Sequence, residues 1–336
     1  MPVTHVGDLS RNYMFRAESA RLKTQLTRLT QELSSGITTD KTEHLKGNQS
    51  LISAIDHALS MSSAYEIAAQ EAKSLADAKQ TAFSYMQNNF SQFSSSLLAA
   101  AQSQQPVAFD TLALQANQNF SNVIAKLNTT VAGRSVFAGN ATESAAMAQP
   151  DVILADLQAA VAGSVTTADF LNAIDNWFFT PGGGFETTGY IGATDDLDPL
   201  PIAKDQSVSL SQRADEDGIR QMLRDLAVMA LSTDTTLGFN ALELKNITTE
   251  TAESTFQTQS NVTTMRATLG LTQGQIDHGI TALNADKTAQ TLARNALVAV
   301  DPFETATELE NIQFQMEALY SITARLSRLS LTEYLR

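Results

Sequence analysis

Residues 301–331 read DPFETATELENIQFQMEALYSITARLSRLSL, and the spacing of their apolar positions sets the fold class. Leu309, Ile312, Met316, Leu319, Ile322, Leu326 and Leu329 step by three or four residues without interruption, which places them on one face of a helix. Asp301 ahead of Pro302 supplies the start. An aspartate N-cap accepts from the first free amides, and a proline in the first turn has no amide to lose. At 1.5 Å per residue the helix from there to residue 331 would be roughly 45 Å long.

The opposite end of the chain carries a similar pattern. Phe15, Leu22, Leu26, Leu29 and Leu33 fall at spacings of seven, four, three and four, a heptad-like seam. Ser34-Ser35-Gly36 then ends the helix, with Gly36 free to take the left-handed conformation that closes many helices. Chain termini are ordinarily where order fades, and a lone amphipathic helix draws little stability from its own backbone. Two seamed ends therefore predict partners.

Between the ends, helical patterning is expected over about 51–101 and again from Phe109 through Val131 to Gly133. Two short helices follow near 151–162 and 167–179. A glycine-rich flexible turn is expected at Gly182-Gly183-Gly184, with short strands near Val208 and Leu210. Helix returns at 219–231, about 240–269 and 272–299. The expected architecture is mainly α: an N-terminal assembly helix (1–45), an outbound helical arm (46–141), a small mixed α/β insert (142–212), a return arm (213–300) and a C-terminal assembly helix (301–336).

Composition narrows the function. The 336 residues are 43% hydrophobic but only 7% aromatic, which suits slender helices with small contact residues. A net charge of −14 opposes binding to nucleic acid or to anionic membranes. The basic residues Arg11, Arg16, Arg21, Lys23 and Arg28 crowd the first segment, where they read as a solvated helix face. With no cysteine there is no disulfide, thiolate zinc site or cysteine nucleophile. Residues 1–16 lack the apolar run of a signal peptide, so export, if it occurs, is expected by a route that removes none.

No chemistry-bearing motif emerges. His5, His44, His57 and His278 form neither HExxH nor an i,i+4 ligand pair, and residues 182–184 lack the rest of a phosphate-binding loop. Asp195-Asp196-Leu197-Asp198 is too compact for a calcium loop and has no closing glutamate. Met222 and Met229 read as packing residues. No catalytic, cofactor or metal residue is assigned.

Several segments resemble the flagellin and hook-associated protein family. Leu33-Ser34-Ser35-Gly36 is similar to the end of its N-terminal helix, and Gly133-Arg134-Ser135-Val136-Phe137-Ala138-Gly139 to the close of its outbound arm. Asp301 through Leu309 with Gln313 and Gln315 resembles the start of its C-terminal helix. Ser330-Leu331-Thr332-Glu333-Tyr334-Leu335 is similar to the ending of its hook–filament junction member. The resemblance implies a non-enzymatic structural subunit of the extracellular flagellum, its terminal helices paired as a coiled coil and its two arms forming a helical rod domain. It would be exported by the flagellar type III apparatus and form a ring between hook and filament. The partners it implies are further copies of the chain, the neighbouring hook-associated protein, flagellin and an export chaperone. A filament subunit is the alternative, and a cytoplasmic coiled-coil adaptor a more remote one.

Overall fold

The computed structural model describes the backbone over residues 5–47, 49–102 and 107–334, and side chains between residues 10 and 325 within those ranges, other than residues 12 and 107. Over the described residues the chain is mainly helical with two small antiparallel sheets. It divides into a terminal unit, residues 1–62 with 285–336, and a central unit, residues 63–284.

The terminal unit is built on α1 (His5–Ser35) and α9 (Pro302–Tyr334), which pack against each other. It also holds the short α2 (Lys41–His44), the first turns of α3 (Ser50–Ala101) and the last turns of α8 (Ala241–Val298). Within it Arg294 of α8 donates from Nε to Asp56 Oδ1 of α3 at 2.6 Å.

The central unit holds the large hydrophobic core. Here α3 and α8 run antiparallel, held by side-chain bonds at regular intervals: Lys73 to Asp277 (2.8 Å), Gln273 to Asp77 (2.7 Å), Gln87 to Thr263 (2.8 Å) and Ser94 with Thr255 (2.6 Å). Each step forward along α3 is matched by a step back along α8 that is equal to within one residue. Thr248, Thr251, Thr255 and Thr258 are fully buried, at the three-four-three spacing that leucines normally occupy. Burying a hydroxyl is costly unless it is bonded. Thr248 donates to Leu244 O and Thr251 to Ile247 O, the helix's own carbonyls one turn back.

α8 is unbroken from Ala241 to Val298, whereas the sequence predicts an interruption after Leu269. Gly270 costs a helix about 1 kcal/mol. Leu269 and Ile276, seven residues apart on one face, are fully buried and hold the helix through it.

α4 (Val107–Leu127) buries Phe109, Leu112, Ala116, Phe120 and Val123 on one face and packs on α7 (Asp217–Leu231). α7 is buried nearly all round, Met222 and Met229 included, because α5 (Pro150–Val161) and α6 (Thr167–Phe179) cover other sides of it. α4 stops six residues short of Gly133. The Asn128 carboxamide exchanges hydrogen bonds with the Met147 backbone at 2.8 and 2.9 Å, turning the chain aside. Residues 130–135 then form a hairpin, β1 (Thr130–Val131) with β2 (Arg134–Ser135). Its two-residue turn has positive φ at Ala132 (50°) and Gly133 (80°), the pattern of a type I′ turn.

The mixed segment contains α5 (Pro150–Val161), α6 (Thr167–Phe179), a π-helical turn (Phe185–Gly189) and the pair β3 (Leu200–Ala203) and β4 (Gln206–Val208). Thr166 and Asp169 close a reciprocal capping box at the start of α6. Trp177 is buried against Phe178 and Phe185 and donates from Nε1 to Asp156 Oδ2 at 2.8 Å.

The glycine-rich stretch differs from the expected flexible turn: it is packed. A Cβ on Gly184 would lie 1.8 Å from Trp177 Nε1, so only glycine lets the backbone pass the indole. Gly184→Ala is expected to lower central-unit stability by about 1–3 kcal/mol, the usual cost of overpacking. Gly163→Ala, where a Cβ meets nothing within 4 Å, serves as the near-neutral control. Urea unfolding followed by circular dichroism compares the two. Equal midpoints would show that the ring gives way freely.

Candidate functional site

With no chemistry-bearing motif in the sequence, the candidate site is the pair of terminal helices. α1 ends at Ser35. Gly36 turns the chain with φ at 69°, its amide donating to Glu32 O at 2.8 Å. The next residues pair with the strand-like link before α9: Thr38 N donates to Val298 O at 2.9 Å, Val300 N donates to Gly36 O at 3.1 Å, and Ile37 bridges Ala299. The link leads straight into α9, which therefore runs antiparallel to α1.

Asp301 caps α9 as its position ahead of Pro302 predicts. Its Oδ1 accepts from Phe303 N (2.8 Å) and Glu304 N (3.2 Å), while its carbonyl accepts from Thr305 N.

On α1, Leu22 and Leu29 are buried, and Phe15 and Leu26 are half-buried. Leu33 is 38% exposed. On α9, Leu309, Ile312, Met316 and Leu319 are half-buried, while Ile322 is 48% exposed. Leu326 and Leu329 lie outside the described side chains. In the packed α1–α9 pair Leu22 and Leu29 are thus the buried positions, with Leu26, Leu309, Ile312 and Met316 half-buried.

Glu32 occupies the buried place beside Leu33. Its carboxylate accepts from Thr39 N (2.9 Å) and Thr39 Oγ1 (2.7 Å), tying the helix end to the turn after it. Burial opposes its ionisation, but the Thr39 bonds and the charge of Arg28 outweigh this and hold the carboxyl below the ordinary range. Leu29 lines a groove with Glu32, Asp40, Asp301, Glu304 and Glu308, an acidic rim partly answered by Arg28, which pairs with Glu43 at 3.7 Å.

A charged residue in an apolar seam carries no periodic signal, which is why Glu32 escapes a pattern reading. Its position four residues before Gly36 is the only hint. Among the described residues no group of three or more His, Asp or Glu is placed to hold a metal ion, and no helix is long and apolar enough to cross a membrane.

The antiparallel link and the seam of α9 both fall in a stretch that can be compared with known families. The model described as the bacterial flagellin C-terminal helical region matches residues 253–335. The chain carries a flagellin-type C-terminal region. It takes in most of α8 and all of α9, so half of the terminal pair belongs to it. No curated protein matches the chain. Among solved structures the chain is similar to a protein described as a flagellar hook-associated protein from Vibrio parahaemolyticus. The TM-score is 0.51 at 11% identity, over 73% of this chain and 95% of that one. FlgL from Bacillus cereus gives 0.49 at 14% identity, over 70% of this chain and 96% of that one. At such identities the likeness is one of fold. The flagellin-type region thus sits in a chain whose fold also occurs in a protein described as hook-associated.

Proposed function

We propose that this protein is a structural subunit of the bacterial flagellum, of the hook-associated protein 3 type, forming the ring that joins hook to filament. The observation that carries the reading is a flagellin-type C-terminal helix packed antiparallel on the chain's own N-terminal helix. The similarity of residues 330–335 to the ending of the junction member favours that role over the filament. On this reading the units 1–45 and 301–336 are assembly helices, 46–141 and 213–300 the arms of a rod domain, and 142–212 an outward insert. The seam is Phe15, Leu22, Leu26, Leu29 and Leu33 with Leu309, Ile312, Met316, Leu319, Ile322, Leu326 and Leu329. The partners are further copies, the neighbouring hook-associated protein, flagellin and an export chaperone, with passage through the type III apparatus and no enzymatic activity.

The filament subunit is the alternative, favoured by the flagellin description of the matched family. Deleting the gene separates the two. A junction subunit is needed once per filament, between structures whose packing surfaces differ. Its loss should leave non-motile cells with bare hooks and flagellin shed as monomer into the medium. Loss of a major flagellin would instead remove that secreted pool. Filaments still growing on the mutant's hooks would rule out the junction role.

A further inference from the structure

We propose that the terminal pair has a second, intermolecular seam: the outer face of α9 in one copy packs on the outer face of α1 in the next. This rests on the self-assembling reading above and names the surfaces that would meet.

Both helices spend one face on each other, and each keeps another turned away. On α9 that outer face holds Phe303 and Phe314, which are 82% and 72% exposed. At 3.6 residues per turn they share it with Glu310 and Glu317, also exposed, opposite the side of Leu309, Ile312 and Met316. Large exposed aromatics at regular spacing on a helix are candidate interface anchors. On α1 the face turned from Leu22 and Leu29 holds Tyr13 (76% exposed) and Ala20, with the exposed Arg16 and Lys23 together along one flank of it.

The two outer faces are complementary in charge and in spacing. Glu310 and Glu317 are seven residues apart, as are Arg16 and Lys23, so both ion pairs can form at once. With the helices parallel this register sets Phe314, between the glutamates, level with Ala20, between the bases; antiparallel, the two stand one residue, about 1.5 Å, out of level. A large ring then meets the smallest side chain of the opposing face. Because the faces point away from each other within one chain, they cannot satisfy each other there. A second copy supplies both. The contact is head-to-tail, using different patches on the two partners, and such contacts generate rings or open helices rather than closed dimers.

The test is charge exchange in the purified full-length chain, with sedimentation velocity over a concentration series and circular dichroism as a check of folding. Wild type is expected to self-associate. The variants R16E/K23E and E310K/E317K should each self-associate at least tenfold more weakly with unchanged helicity. An equimolar mixture of the two should restore association, since each then offers the face the other lacks. The chain carrying all four changes should also regain it. If wild type associates and the exchanged charges make no difference, or weaken it without rescue, the proposed surface is wrong while the assembly reading stands. If wild type fails to associate under any condition, the assembly reading fails and takes this surface with it.

Discussion

Leu29→Asp is expected to open the terminal pair while leaving the central unit folded. Leu29 is buried against the start of α9, in the groove rimmed by Glu32, Asp301, Glu304 and Glu308. A carboxylate there loses its water, gains no partner and faces four like charges, so the change should cost several kcal/mol. Hydrogen exchange should show amides of α1 and α9 losing their protection together, with those of α4 and α7 unaffected. Leu33→Asp is the matched control. It belongs to the same heptad-like pattern but is 38% exposed, and its replacement should cost well under 1 kcal/mol. If Leu29→Asp leaves α1 and α9 as protected as before, the antiparallel seam is not what holds the ends together.

The central unit should be least stable near pH 6–7 and more stable on either side. Two buried charges cause this. Asp225 is fully buried, and burial pushes its carboxyl up to about 6, against the hydrogen bonds from Thr258 and Ser254 and the charge of Arg224. Its folded value lies above its unfolded one, so the folded form binds more protons between about pH 4 and 6. Stability then falls as pH rises through that window.

Lys79 is buried under Phe137, donating from Nζ to Leu210 O (2.7 Å) and Gln212 O (2.6 Å). Burial pushes its ammonium down to about 7, with the charges of Glu216 and Asp196 opposing. Its folded value lies below its unfolded one, so stability rises as pH climbs from about 7 towards 10. Both penalties are at their fullest between the two windows. At about 1.4 kcal/mol per pH unit, each limb should amount to about 2–3 kcal/mol over two units. Urea midpoints at pH 4.5, 6.5 and 9, at constant ionic strength, measure the curve. Asp225→Asn should flatten the acid limb and Lys79→Met the alkaline one. A broad plateau across pH 5–8 in the wild-type chain would contradict the scheme.

How far the sequence reveals the fold varies with the physics at each place. The starts of α5, α6 and α9 are legible because capping chemistry is local: Pro150, Thr166 with Asp169, and Asp301 with Pro302 act within four residues. The α1 and α9 seams are legible because apolar side chains repeat on one face. The threonine seam of α8 is not, because its hydroxyls are polar by type yet satisfied where they are buried: Thr248 and Thr251 by their own helix, Thr255 also by Ser94 and Thr258 by Asp225. Gly184 reads as a flexible turn until the indole it accommodates is placed beside it by a helix that starts seventeen residues earlier. On α9 the outer aromatics are masked by the strong seam opposite. A helix with two apolar faces lowers its own amphipathic contrast, and the pattern that makes one face plain conceals the other.

Trp177 is the chain's sole tryptophan, and its ring is enclosed in the central unit beside Phe178 and Phe185. The protein therefore carries a built-in optical label confined to one of its two units. Indole emission excited at the red edge, where tyrosine does not absorb, reports the folding of residues 63–284 alone. Tyr13 and Tyr320, by contrast, stand exposed on the terminal helices. Tyr65, Tyr85 and Tyr190 lie in the central unit, so tyrosine reports on both units and the indole on one; unchanged indole emission marks the survival of the central unit without adding a dye.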